Sequence, residues 1–192
     1  MEAVVQRHLG SANAATLDVS PDVGDFLTRA WVWLALLGYG ISTIVLLLRR
    51  ETRLARWVWG LAAIAFVVHV ACAFHFFHSW SHEAAFVETA RQTKELTGFD
   101  SGSGLYLNYV FTLIWIADAV WWYVVGDARY LLRSKWLVVA LHGFFLFMIV
   151  NGTIVFGRGP VRAFGAVLVA VLVAAIGVAI SYRLRSKSAN AP

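Results

Sequence analysis

The sequence predicts an all-α integral membrane protein, a five-transmembrane-helix bundle with its N-terminus outside and its C-terminus in the cytoplasm. Three observations predict it. The chain is 60% hydrophobic and only 14% charged, with a mean hydropathy of +0.70, whereas a soluble domain is roughly 45–50% apolar. Five apolar runs are each long enough, at about 20 residues, to cross a hydrocarbon layer ~30 Å thick. The cations gather at alternate ends of those runs, as the positive-inside rule requires of a membrane protein.

The first 25 residues are polar, with Glu2, Asp18, Asp22 and Asp25, and lack the basic-then-apolar layout of a signal peptide. Targeting is therefore expected from the first hydrophobic helix. The spans are expected at residues 26–48, 56–78, 105–125, 136–156 and 160–182, each helical because a helix satisfies its own backbone in lipid. No segment is large enough to fold separately in water, so residues 1–192 form a single membrane domain.

Arg49, Arg50, Arg53 and Arg56 join the first two spans, Arg129, Arg133 and Lys135 join the third and fourth, and Arg183, Arg185 and Lys187 follow the fifth. These ten of the sixteen cations mark the cytoplasmic side. The other side holds Arg7, Arg29, Arg91, Lys94, Arg158 and Arg162, diluted by eight of the eleven acids. A net charge of +5 distributed in this way is a topology signal and excludes a nucleic-acid patch. The partner implied is the lipid bilayer of an inner (plasma) membrane. Gly38, Gly40 and Ser42, with the Gly/Ala-rich fifth run, allow close helix approach and homo- or hetero-oligomer contacts.

The external loop 79–104 is the longest connection. Residues 82–96 read as a short helix lying on the membrane surface, with Ser81 as cap and Gly98 as stop. The run Asp100-Ser101-Gly102-Ser103-Gly104 then serves as a flexible link.

The densest chemical feature is His75, His78 and His82 with Glu83. At 100° per residue the three imidazoles share one helical face. Neutral imidazoles so spaced can close on a zinc, copper or iron ion, with Glu83, Glu88, Asp100 or His8 completing the shell. The competing reading is a set of interfacial histidines bonded to headgroups and water. The site makes a metal-dependent membrane oxidoreductase or hydrolase the first functional expectation.

Asp118, a lone acid deep in the third span, and His142 in the fourth stand at similar depth, about seven and about six residues from the same membrane face at ~1.5 Å per residue. They are expected to touch and to serve as a proton relay or catalytic pair, or else as a polar clamp. Asn108 and Asn151 lie at roughly the level of His75 and His78 and are candidates to line the same cavity. His69, with Cys72 one turn later, raises haem b and an electron-transfer role as an alternative. A bis-histidine haem with His142 is disfavoured, because the two histidines differ in depth by roughly 10 Å. A small transporter or a non-catalytic subunit of a membrane complex is the third expectation. Cys72 stands alone, so no intrachain disulfide can form. The soluble catalytic motifs, such as G-x-S-x-G, a phosphate-binding glycine loop and CxxC, are missing from the sequence.

Overall fold

The computed structural model describes residues 21–48, 52–157 and 159–189. The polar N-terminal stretch with His8, the linker residues Arg49, Arg50 and Glu51, and Arg158 lie outside the described residues. Six helices follow one another: α1 (Pro21–Leu47), α2 (Thr52–His78), α3 (His82–Thr97), α4 (Gly104–Leu131), α5 (Lys135–Ile149) and α6 (Pro160–Ala189), with α5 running on as a π-helix over Val150–Val155. Five of these are long and apolar enough to cross a membrane. The odd one is α3, whose sequence mixes Glu, Arg, Lys and Gln with few large apolar residues.

Each span boundary has a local cause. α2 ends at His78, where Ser79 and Trp80 take left-handed φ values of 47° and 60°. The reversal is fastened by the Trp80 N–H bonding the Phe74 carbonyl, six positions earlier, at 2.9 Å. Ser81 then caps α3 by accepting from the Ala84 N–H at 3.1 Å, and Gly98, at φ 80°, ends it. Within α4, Gly126 has φ 76° and ψ 168°, so the continuous span stops where expected, near residue 125, and Asp127–Leu131 forms a further turn set off from it.

The five long helices form a closed ring. α1 packs against α2 and α6, α2 against α4, α4 against α5, and the π-helical end of α5 against α6. Small residues set the closest approaches. A Cβ built on Gly38 would lie 2.7 Å from that of Ala62, and one on Gly165 would overlap the Thr153 side chain. Larger residues at either place would push the helices apart. Ser42, fully buried, donates to the Ala55 carbonyl at 2.9 Å and ties α1 to α2 near their connection.

The ring's interior is aromatic. Tyr39, Trp59, Phe111, Trp115 and Phe145 are buried together, with Phe111 and Phe145 ring centres 4.6 Å apart and Trp115 and Phe145 5.1 Å apart. Such edge and tilted contacts add attraction beyond the area they bury. The outside is apolar as well, because fewer than a third of the residues in each spanning window are buried. Leu61, Ile64, Leu113, Val139 and Val167 all face outward. Water would disfavour that surface; lipid accommodates it.

Candidate functional site

Three polar regions carry the residues singled out above. The first lies at the α2–α3 junction. Because α2 stops at His78, His75 and His78 belong to one helix and His82 to another, so the expected single face of three histidines is broken. His75 accepts from the Trp80 indole N–H at 3.3 Å and packs on Phe76. His82 turns toward α4, with Nδ1 3.0 Å from the Tyr109 hydroxyl and its ring against Tyr106. His78 alone opens onto a cleft of about 800 Å³ that also bears Glu83 and Glu88.

Glu88 is already engaged. Arg91 donates to its two oxygens at 2.6 and 2.9 Å, Gln92 donates at 2.8 Å, and these bonds hold its carboxyl at about 2. Arg91 also bonds Glu95, and Lys94 reaches Asp100 at 2.8 Å. These pairs lie on the exposed face of α3, where solvent screens them. Among the described residues, no group of three His, Cys, Asp or Glu side chains is arranged to hold a metal ion.

The second region is at the opposite end of the ring. Asp118 is 8% exposed, and the expected contact with His142 is replaced by two others. Tyr130 donates its hydroxyl to one Asp118 oxygen at 2.7 Å, and Arg133 donates to the other at 2.7 Å. The Arg133 guanidinium lies 3.8 Å over the Tyr130 ring, which itself stacks on Trp122 at 4.0 Å. Gly126 makes this possible, since its non-helical backbone sends the chain onward so that Tyr130 and Arg133 meet a carboxylate twelve and fifteen positions earlier. His142 instead has Nδ1 3.3 Å from the Tyr39 hydroxyl and its ring beside Trp59.

Asp118 and His142 are thus separately partnered, and the arrangement around Asp118 is a charge-paired clamp. Sequence reasoning missed Tyr130 and Arg133, having counted Arg133 only as a topology cation. The signal available was the Gly126-Asp127 pair, which interrupts an otherwise apolar helix.

The third region is a half-open cavity of about 450 Å³ between the spans in the half nearest α3. Its roof is α3, through Thr89, Gln92 and Thr93; its walls include Val32, Leu36, Phe147 and Met148; Phe66 and Phe111 join it to the aromatic core. Its polar side chains include His69 from α2, Asn108 from α4 and Asn151 from the π-helix, beside Gln92 and the threonines. The π-helix supplies part of the wall through Asn151, Gly152 and Thr153, and such wide turns occur frequently at functional sites. Asn108 and Asn151 share this cavity, in the company of His69 rather than of His75 and His78.

The polar atoms in this cavity are unevenly satisfied. His69 Nδ1 lies 2.8 Å from the Thr28 carbonyl of α1. Asn151 uses its amide N–H on the Phe147 carbonyl at 2.8 Å. Thr89, Thr93 and Thr153 each donate to the carbonyl four residues earlier in their own helix, at 2.8, 2.8 and 2.7 Å. No family model matches this chain, and neither the curated proteins nor the solved structures contain a significant match to it.

Proposed function

We propose that this chain is a multi-pass inner-membrane protein, N-terminus outside and C-terminus in the cytoplasm, that binds a small amphipathic molecule within its ring of spans, as a small transporter or a binding subunit would. One observation carries the reading: the half-open cavity of about 450 Å³ with apolar walls and a few convergent polar groups. Ligand sites have this form, at about 300–1,000 Å³, and lie between helices of bundles. With the N-terminus outside, α3 roofs the cavity on the external side, where the cation count is low.

The test is equilibrium binding of tritiated amphiphiles of one chain length, differing only in headgroup, to the protein in nanodiscs. At least one should bind saturably at one site per chain. Gly152→Phe should abolish that binding, since Gly152 lines the cavity and a Cβ there meets no atom within 4 Å. Binding that is non-saturable, or unaffected by Gly152→Phe, would overturn the reading.

A metal-dependent enzyme is the second reading, favoured by His78 and Glu83 facing one cleft beside α3. The donor set fits a metal poorly. Zinc takes three or four protein ligands, whereas Glu88 is engaged by Arg91 and Gln92, and His75 and His82 do not line the cleft that His78 and Glu83 share. Elemental analysis and an absorption spectrum of the same preparation test the metal and haem b alternatives together.

A further inference from the structure

We propose that the cavity selects an uncharged amphiphile with a hydroxyl headgroup, such as a long-chain alcohol or phenol, whose O–H donates to Nε2 of His69. The proposal rests on the ligand-binding reading of the same cavity and specifies its ligand class.

The argument begins with the proton on His69. A backbone carbonyl can only accept, so the 2.8 Å contact with the Thr28 carbonyl places the ring proton on Nδ1. The neutral ring then presents Nε2 as a lone pair. No described residue bonds Nε2, and His69 lines the cavity.

The other groups leave the same kind of vacancy. Asn151 spends an amide hydrogen on Phe147, so its free carbonyl oxygen is an acceptor, and the three threonine hydroxyls have donated their protons to their own helices. The lining therefore offers acceptors together with the amide donors of Asn108 and Asn151. A hydroxyl both donates and accepts and so meets both kinds; an ether brings no donor and a hydrocarbon neither, which leaves the acceptors bare at a net cost.

Charge narrows the class further. No Lys or Arg lines the cavity, so a carboxylate or phosphate headgroup would enter without a counter-ion, at a desolvation cost that a neutral headgroup does not meet. The apolar walls of Val32, Leu36, Phe147 and Met148 suit the ligand's tail.

Tritiated farnesol, its methyl ether and farnesoic acid, matched in chain and differing in headgroup, provide the test in nanodiscs. Farnesol should bind the native protein on the order of tenfold more tightly than the ether, the ratio one buried hydrogen bond supplies, and the acid should bind least. In His69→Phe the advantage of farnesol over the ether should vanish while ether binding persists, which also reports that the cavity is intact. Equal binding of alcohol and ether by the native protein, both blocked by Gly152→Phe, would overturn the hydroxyl proposal and leave the cavity reading standing. If Gly152→Phe blocks neither, both fall. A bound chromophore with a Soret band would overturn the hydroxyl proposal as well, because iron would then occupy Nε2.

Discussion

Asp118 and Arg133 have side chains only 7% and 6% exposed, and their bond is the most deeply buried ion pair among the described residues. The cost of burying the pair is offset because both carboxylate oxygens are bonded and the guanidinium also lies on the Tyr130 ring. Removing one charge strands the other. Asp118→Asn should therefore destabilise the protein by about 3–5 kcal/mol, read as a lower midpoint of thermal unfolding in detergent. Asp127→Asn, which loosens a more exposed pair with Arg56 at 3.2 Å, should cost about 1 kcal/mol or less. Replacing Asp118 and Arg133 together by Leu and Met should recover much of the loss, because it is the uncompensated charge that destabilises. Equal effects of Asp118→Asn and Asp127→Asn would refute the clamp. In the sequence Asp118 stood out by its depth in an apolar run. Its partners did not, because Arg133 reads equally well as an ordinary basic residue beside a membrane.

At the scale of the helix, two backbone breaks decide where the polar side chains go. The break at Ser79 and Trp80 separates His78 from His82, and the one at Gly126 delivers Tyr130 and Arg133 to Asp118. At Gly126 a side chain would clash with its own backbone whatever space surrounds it, since φ 76° with ψ 168° is essentially a glycine conformation. Gly126→Ala should lower stability by about 1–3 kcal/mol, whereas Gly143→Ala should be neutral or stabilising, because Gly143 is helical and its Cβ meets nothing within 4 Å. Thermal unfolding of the two variants side by side makes the comparison; indistinguishable midpoints would remove Gly126 from the account. The caps of α3 were legible beforehand, since Ser81 and Gly98 are residues whose local chemistry announces a helix end. The reversal at Ser79-Trp80 was not, because serine and tryptophan carry no preference for left-handed backbone.

Over the whole molecule, a ring of five helices leaves an aromatic core with a clamp at one end and a roofed cavity at the other. The proposed orientation puts the roof outside. With Cys72 replaced by Ser, single cysteines at Ser101 and Ser186 should react with a membrane-impermeant reagent from opposite sides, Ser101 from the exterior; labelling of both from one side would refute it. The number of spans, their approximate limits and the separate polar helix α3 were determined by the sequence alone. Length and hydropathy are properties of each segment, and lipid demands a helix of any segment that crosses it. Which polar residues meet was decided only by the tertiary structure. Asp118 bonds Arg133 rather than His142, and His69 joins Asn108 and Asn151 rather than the histidines of its own helix. Depth along a helix can be counted from a sequence, but the direction in which each helix turns its polar side chains depends on which neighbours it packs against and on where a backbone break redirects the chain.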